Sequence, residues 1–321
     1  MARFGFLIAA VFALGSTIAA TQADAADTLR VGKSPAFAFA YIPLDLGLAK
    51  GMYARRGLDI ELVTFEGAAK MDLAMTSGSI DLALGSPMEM AAIEKGMPAI
   101  AIAAIAHPIR ELAIVVPADS TIKSVDELRG KSIGIATVGS ITQWAALELA
   151  RVKGWGVDGI KTVSIGSGAA SGIAAMRTHL VDAAVGNLMT GVVMEKKNQG
   201  RRIALVSDYA SDFIMHEVTA SQDIVKTKPD AVRRFLAGWF EAVDYMRAHK
   251  NETVRIAAPV TGLSEADEAT EYDFLMPEVT GDGHHDPAII ARAAQSFVDL
   301  GILDHRPDMS KLYTETFLPA K

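Results

Sequence analysis

Strand patterns alternate with helical patterns along the first two thirds of the chain after residue 27. Residues 58–63 alternate apolar with acidic side chains and precede a helical pattern at 68–76, and the apolar segment 99–103 follows a helical pattern at 88–94. Strands that are joined by helices form mostly parallel sheets, so this alternation predicts an α/β fold. From Pro229 onward the patterns are helical, which predicts a helical C-terminal portion.

Two segments of the chain resemble each other. Residues 73–85 align with residues 174–186, and each segment reads as a helix end, a tight turn, a short strand and a loop. The identical positions are Ala74 and Ala175, Met75 and Met176, Asp81 and Asp182, Ala83 and Ala184, and Gly85 and Gly186. The similarity predicts two lobes built on one plan, with a small-molecule cleft between their post-strand loops.

The first 25 residues have the pattern of a secretory signal peptide. Arg3 precedes an uncharged, mostly apolar stretch at 4–20, and Ala23-Asp24-Ala25 forms an A-x-A processing site. Cleavage near Ala25 would release residues 26–321 as an exported protein, and the alternative is an N-terminal membrane anchor. No later run of eighteen apolar residues follows in the sequence, so we expect a soluble mature protein.

Composition excludes several classes of function. The 321 residues include no cysteine, which excludes disulfides, thiolate metal sites and a cysteine nucleophile. The formal net charge is -7 and there is no basic run, so the chain lacks the positive patch that nucleic acids and anionic membranes require. Neither partner is therefore expected.

Three motifs in order carry a resemblance to a known family. Residues 119–135 look like the I-K-S-x-x-D-L-K-G-K-x-I-G-V segment of type II extracytoplasmic solute-binding proteins, and residues 73–85 resemble their A-L-x-S-G-x-I-D-x-A-x-G segment. Residues 47–60 resemble the entry segment of the NMT1/THI5-like branch, whose members take aliphatic sulfonates, nitrate or thiamine precursors. The resemblance implies a periplasmic receptor of two hinged lobes that delivers a small solute to an ABC transporter permease in the inner membrane. We expect a monomer.

The resemblance also implies that the chain crosses between the lobes twice. We place the crossings near Pro117 and between Asp208 and His216. Lobe one would then comprise residues 27–117 plus 210–321, and lobe two residues 118–209.

Catalytic motifs receive little support. The G-x-S-x-G match at 130–134 places Ser132 at the start of a strand, whereas a nucleophile elbow follows one, and 166–171 falls one glycine short of G-x-G-x-x-G. His284 and His285 are adjacent on a glycine-rich loop, which argues against a metal site. We predict no enzyme, metal or organic cofactor. A THI5-like pyrimidine-precursor synthase, or another secreted enzyme, is the alternative, although the synthase branch carries a cysteine-rich iron site.

The candidate ligand-binding residues lie mainly in the loops that follow predicted strands, where α/β proteins bind ligands. Packing under a helix is the alternative for Tyr41, helix capping for Ser86 and Asn187, and a hinge role for His107 and His216. The predicted set is Ser34, Phe37, Tyr41, Gly67, Ser86, Pro87, His107, Gly139, Ser140, Thr142, Asn187 and His216.

One of these loops predicts the class of ligand. Residues 137–142 end at a predicted helix start, whose unpaired N–H groups and dipole attract anions, and the hydroxyls of Ser140 and Thr142 can donate as well. We therefore expect an organic anion such as a sulfonate or carboxylate. A pyrimidine-like neutral heterocycle is the second choice, because no arginine clamp is evident.

Overall fold

A computed structural model describes residues 26–210 and 212–320, with the side chain of Ala169 left out. The predicted signal peptide lies outside these residues. Within them the strands are β1 (Asp27–Lys33), β2 (Leu58–Thr64), β3 (Leu82–Gly85), β4 (Ala99–Ala106), β5 (Leu112–Pro117), β6 (Ser132–Ile135), β7 (Lys161–Ser164), β8 (Ala183–Asn187), β9 (Gly200–Leu205) and β10 (His216–Ser221).

Helices connect these strands and make up most of the C-terminal region. They are α1 (Ile42–Ala49), α2 (Ala68–Thr76), α3 (Met88–Glu94), α4 (Ile141–Val152), α5 (Ala169–Arg177), α6 (Leu188–Lys196), α7 (Gln222–Thr227), α8 (Pro229–Ala248), α9 (Lys250–Thr261), α10 (Glu265–Leu275) and α11 (Pro287–Asp299). Among the described helices, none is long and apolar enough to cross a membrane. The predicted α/β fold with a helical C-terminal portion is confirmed.

The strands form two sheets of the same design. The first sheet has the order β2-β1-β3-β10-β4 and the second has the order β7-β6-β8-β5-β9. In each sheet the first three strands are parallel, and the fourth runs antiparallel to both of its neighbours. The internal similarity of the sequence therefore corresponds to equivalent places in two sheets, with α2–β3 in one and α5–β8 in the other.

The repeated aspartate explains one part of that similarity. Asp81 accepts hydrogen bonds from the backbone N–H of Arg30 at 2.8 Å and from its guanidinium, and Asp182 accepts from the backbone N–H of Ser132 at 2.8 Å and from its hydroxyl at 2.7 Å. Arg30 and Ser132 occupy the same register in β1 and β6. Each aspartate thus ties the turn before one strand to the neighbouring strand.

The chain passes between the two sheets in two places. It leaves the first sheet after Ala106 and enters the second at Leu112, and it returns between Leu205 and His216. Because β5 pairs only with strands of the second sheet, the first change of sheet lies before Leu112 and not near Pro117. The division into lobes stays a prediction, with its first boundary moved to residues 107–111.

Candidate functional site

A cleft lies between the loops that follow the parallel strands of the two sheets. Ser34, Gly67 and Ser86 line it from the first sheet, and Ser140 and Asn187 line it from the second. Its empty volume is about 960 Å³ when the adjoining open solvent is included. The position agrees with the rule that ligands bind beyond the carboxyl ends of parallel strands.

Most of the predicted binding residues come together in this cleft. Those that line it are Ser34, Phe37, Gly67, Ser86, Ser140, Thr142, Asn187 and His216. The structure places four others outside the lining: Tyr41, Pro87, His107 and Gly139. Lining shows position only, so the binding role of each residue stays a prediction.

Tyr41 is buried beneath the cleft and does not line it. Its hydroxyl donates to the carbonyl oxygen of Gly85 at 3.0 Å and lies 2.7 Å from Nδ1 of His216. The neighbouring Phe39 packs edge-on against Tyr272. A short 3₁₀ turn carries Tyr41 into the core, so the structure does not place this side chain on the cleft surface where the sequence analysis expected it.

The other three residues outside the lining, Pro87, His107 and Gly139, are held by contacts within the protein. Pro87 is buried as the N-cap of α3. His107 is half-buried, its backbone N–H donates to the carbonyl of Glu278 at 2.7 Å, and burial lowers the pKa of its imidazole. Gly139 is exposed with a φ of 80°, and its N–H donates to the side chain of Gln143. Gly139 thus shapes the loop before α4 without reaching the cleft.

The hydroxyls at the start of α4 are bonded within their own loop. Ser140 is the N-cap, and its hydroxyl donates to the carbonyl of Thr137 at 2.7 Å and accepts from the N–H of Gln143. Thr142 Oγ1 accepts from the backbone N–H of Ala136 at 2.8 Å. Thr142 Oγ1 also lies 2.8 Å from Ser140 Oγ, and because Ser140 donates to Thr137, Thr142 is the donor of that pair. A hydrogen bond from either hydroxyl to a ligand would therefore replace a bond within the loop.

A hydrogen-bonded chain joins the two sheets at the base of the cleft. Glu111, which lies in the first connection, is buried and sits 3.1 Å from Nε2 of His216 in the first sheet. Its other oxygen accepts from the amide of Asn187 at 3.0 Å. Asn187 in turn caps α6 by accepting from the N–H groups of Met189 and Thr190. These bonds fix the three side chains at the point where the polypeptide passes between the two sheets.

A second carboxyl lines the cleft from α3. Oε2 of Glu89 accepts from the backbone N–H of Ser86 at 2.7 Å and from its hydroxyl at 3.1 Å. Within the described part of the chain, Oε1 has no hydrogen-bond partner. Burial, reinforced by the charge of Asp72, raises the pKa of Glu89 to about 8. The group is therefore mostly protonated at neutral pH.

Positive charge in the cleft comes from helix ends. Among the described residues, no lysine or arginine lines it. Instead, four helices of nine or more residues begin there: α2, α4, α5 and α6. Gly67 and Gly168, the N-caps of α2 and α5, provide no side-chain cap, so the N–H groups of those first turns remain open to a ligand.

The second sheet contributes an apolar wall to the cleft. Its side chains are aliphatic or thioether groups: Leu112, Val115, Ile165, Ile173, Met176, Val185 and Met194. Gly186 faces this space, and a β-carbon placed there would meet no atom within 4 Å. The wall therefore suits the hydrocarbon part of an organic solute.

The two sides of the cleft touch at its edge. A β-carbon on Gly67, whose φ is 113°, would lie 2.6 Å from Cγ2 of Thr137 in the other half of the molecule. Glycine is thus required at this position both by the backbone conformation and by the close approach.

Several lining residues were missed from the sequence. The predicted set omits the loop 166–168, yet Gly166, Ser167 and Gly168 line the cleft. Glu89 and Thr190 occupy equivalent positions, three residues after Ser86 and Asn187, and both line it as well. Extending the internal similarity by four residues beyond Gly85 and Gly186 would have found this last pair.

A family model settles the relationship of the chain to known proteins. The model described as "NMT1/THI5 like" matches residues 38–253, well over half of the chain. The chain belongs to the NMT1/THI5-like family. The resemblance predicted from the sequence is therefore confirmed.

Relatives of this NMT1/THI5-like protein are named as binding proteins. Curated binding proteins of Brucella abortus and Brucella suis are 25% identical over 284 residues, which is 85% of this chain and 86% of theirs. The alkanesulfonate-binding protein SsuA from Xanthomonas axonopodis pv. citri, solved with MOPS, has a TM-score of 0.77 at 19% identity, covering 89% of this chain and 98% of that one.

Two further structures show how widely this fold is used. The periplasmic aliphatic sulphonate binding protein SsuA from Escherichia coli has a TM-score of 0.73 at 19% identity over 90% of this chain and 92% of its own. The desulfurization enzyme DszB has a TM-score of 0.63 at 14% identity over 91% and 97%. The periplasmic-binding-protein fold is thus established for this family member, and it occurs in receptors and in an enzyme.

Proposed function

We propose that this protein is the extracytoplasmic receptor of an ABC importer and binds a small organic anion in the cleft between its sheets. The observation that carries the proposal is the meeting of four helix N-termini, drawn from both sheets, at one cleft. Relatives of the same family and fold are named as binding proteins, which supports a receptor.

The lining supports a ligand with an anionic head and an apolar body. A sulfonate or carboxylate can accept hydrogen bonds from the open first turns of α2 and α5, since helix starts stabilise anions without a cationic side chain. The hydrocarbon part would pack on the wall that includes Ile173 and Met176. A pyrimidine-like solute is the second candidate, favoured by the absence of lysine and arginine from the described lining.

The state of His216 supports a binding role over catalysis. Among the described residues it is the only imidazole that lines the cleft, and its two ring nitrogens face Tyr41 and Glu111 at 2.7 and 3.1 Å. A general base must reach the proton that it removes. Because both nitrogens already have partners, the lining serines lack an adjacent free base, and we do not favour the secreted-enzyme alternative.

The proposal includes a location and a mode of action. We propose that the signal peptide is cleaved near Ala25 and that residues 26–321 act as a monomer in the periplasm. Closure of the lobes around the solute would present one shape to the permease in the inner membrane. The contact of Gly67 with Thr137 marks where the lobes would meet in that closed form.

A thermal-shift panel on purified residues 26–321 tests the proposal. Butanesulfonate, butyrate, nitrate and 4-aminopyrimidine are added separately, and the melting temperature is recorded. A ligand at a hundredfold excess over its Kd stabilises the folded state by ~2.7 kcal/mol. We expect the organic anions to give the largest shift. If only the pyrimidine stabilises the protein, the proposed anionic ligand is wrong. If the protein turns over any of these compounds, the proposed receptor function is wrong.

A further inference from the structure

The cleft extends into the core of the second sheet but not into that of the first. Between α5, α6 and the strands β5 and β8, four residues of this second core also line the cleft: Val115, Met176, Ala184 and Met194. The first core, packed under α2, consists of Met71, Met75, Ile80, Ala83, Met97 and Ala99. Among the described residues that line the cleft, none belongs to the first core. Space for a solute therefore continues beneath α5.

The two cores are built on the same framework, so they can be compared residue by residue. Ala83 pairs with Gly32 on β1, and Ala184 pairs with Gly134 on β6. Because each glycine has no side chain, residues from other elements pack directly onto the sheet at this place. The size of those residues decides how much space is left above each sheet.

An aromatic ring covers the glycine of the first core, and a smaller side chain covers that of the second. Phe65 and Ile165 are equivalent, since each follows an edge strand and donates its backbone N–H to the last residue of the adjacent strand. A β-carbon on Gly32 would lie 3.0 Å from the ring of Phe65, and one on Gly134 would lie 2.5 Å from Cδ1 of Ile165. The two side chains thus occupy the same place, and the isoleucine is smaller.

Two further residues on the first side have smaller counterparts on the second. The alignment of the two repeated segments, extended in both directions, pairs Met71 with Gly172. It also pairs Glu89 with Thr190, and both of the smaller residues line the cleft. A β-carbon on Gly85 would lie 3.0 Å from Cε of Met71 and 2.6 Å from Cδ of Glu89, so these two side chains fill the space above Gly85.

The second core is open at the places where the first is filled. A β-carbon on Gly186 would meet no described atom within 4 Å, and one on Gly172 would meet only Cδ1 of Ile165, at 4.0 Å. At the lining positions Ile165, Gly172 and Thr190, the second side has about nine non-hydrogen side-chain atoms fewer than the first. Because protein interiors are close-packed, a difference of this size favours an occupant that a ligand supplies.

We propose that the solute carries an apolar body of about six carbon atoms or more, such as a hexyl chain, and that this body enters the second core beneath α5. It would take the space that Met71 and Glu89 fill on the other side of the cleft. The inference rests on the proposed function, because the open helix starts would hold the anionic head of the same solute. It adds the size of the body and assigns to Gly172 the role of admitting it.

A series of alkanesulfonates tests the size of the apolar body, because their head groups are identical and fully ionised. Methanesulfonate, butanesulfonate and hexanesulfonate are titrated calorimetrically into residues 26–321 at pH 6. We expect hexanesulfonate to bind about a hundredfold more tightly than methanesulfonate, since each buried methylene strengthens binding by about threefold. The ratio of these two Kd values is the chain-length preference of the protein.

Two variants copy the residues of the first side into the second core. Gly172→Met introduces the side chain that α2 carries at the equivalent position, and Ile165→Phe copies Phe65. Gly172 lies within α5, where methionine favours the helix more than glycine does. We expect each variant to reduce the chain-length preference by about tenfold. Ala174→Met is the matched control, because Ala174 is exposed on the same helix outside the lining, and it should keep the wild-type preference.

The outcomes separate the two proposals. If folded wild-type protein binds none of the sulfonates, the proposed ligand class and the inference are both wrong. If the sulfonates bind with equal Kd values, or if folded Gly172→Met and Ile165→Phe keep the wild-type preference, only the inference is wrong. It is also wrong if Ala174→Met reduces the preference as much as Gly172→Met does, because the loss would then not come from the space beneath α5.

Discussion

The two sheets share one strand order, but they carry different residues at equivalent positions in the cleft. In the first sheet, Gly85 leaves room that the carboxyl of Glu89 fills, while in the second sheet Gly186 faces open space. Four positions past the glycine, the first sheet has Glu89 and the second has Thr190. Two sheets of one strand order thus present an acidic residue on one side of the cleft and an apolar wall on the other, and this asymmetry would orient a solute that has a polar head and a hydrocarbon body.

Buried acids follow the same division. Among the described residues, the carboxyls with a raised pKa lie in segments that belong to the first sheet or the C-terminal helices: Asp45, Asp72, Glu89, Glu217, Glu268, Glu271 and Glu278. In the segment of the second sheet, Asp182 and Glu195 have a lowered pKa because, although burial opposes it, Ser132 and Arg202 donate hydrogen bonds to them. Raised carboxyl pKa values are thus confined to the first-sheet and C-terminal segments among the described residues, although lowered values, such as those of Asp267 and Glu315, occur there as well.

The largest expected effect is a loss of stability at alkaline pH. Burial raises the pKa of Glu89 to about 8 and of Glu271 to about 9, from 4.5. The folded state then holds more protons than the unfolded state between these values, so the free energy of unfolding falls as the pH rises from about 5 to 9, by several kcal/mol. Thermal denaturation across this range measures it. Glu89→Gln should reduce the slope, and a melting temperature that rises with pH would contradict the assignment of neutral acids.

The second prediction compares the stability of variants at the two equivalent glycines, Gly85 and Gly186. Gly85→Val would force a side chain into Glu89 and Met71, so we expect the free energy of unfolding to fall by about 3 kcal/mol. Gly186→Val points into open space and should change it by less than about 0.5 kcal/mol. Urea denaturation of both variants compares them directly. Equal losses in the free energy of unfolding would show that the two sheets do not differ at these positions.

The sequence predicted the framework because its signals are local. Alternating patterns and the repeated Asp-x-Ala-x-Gly segment predicted the α/β fold and the two equivalent units. Strand β10 gave no such signal: all of its residues are buried, although His216, Glu217 and Thr219 are polar. A strand buried on both faces by other parts of the chain shows no alternation, and its polar residues gain partners or lose charge only in the folded molecule.

The location of the candidate site could be predicted from the sequence, whereas some of the side chains that line it could not. The rule that ligands lie beyond strand ends found the right loops, because it depends on topology. It did not distinguish Tyr41, which a 3₁₀ turn buries, from Phe37, which reaches the cleft. It also passed over Glu89, since a glutamate in the first turn of a helix is usually solvated, and only the space left by Gly85 allows it to fold inward.

Substitution of the repeated aspartates should lower the stability of the fold by smaller amounts, and by more at Asp81 than at Asp182. Asp81→Ala removes bonds to the backbone and guanidinium of Arg30, and Asp182→Ala removes bonds to the backbone and hydroxyl of Ser132. We expect losses of about 2 and about 1 kcal/mol, because the first change also leaves Arg30 without its ion-pair partner. Urea denaturation measures both. A neutral result for either variant would mean that the two turns are not held in equivalent ways.

The smallest effect concerns the N-cap of α4. Ser140→Ala removes a cap and the bond to the carbonyl of Thr137, so stability should fall by about 1 kcal/mol. Because the hydroxyl already serves the loop, the change in ligand affinity should be smaller than this change in stability. Denaturation measures the change in stability and calorimetry measures the change in ligand affinity, both on the same protein preparation. A larger loss of affinity than of stability would restore Ser140 as a direct ligand contact.

The central claim is that a solute occupies the space between the two unlike sides of the cleft. Calorimetric titration of wild type and Gly186→Val with butanesulfonate at pH 6 tests it most directly, with Ser164→Val as the control because Ser164 is an exposed strand residue outside the lining. We predict one site per chain in wild type and in the control, and a Kd at least tenfold weaker in Gly186→Val, equal to ~1.4 kcal/mol, at an unchanged melting temperature. Wild-type affinity in folded Gly186→Val would contradict the claim.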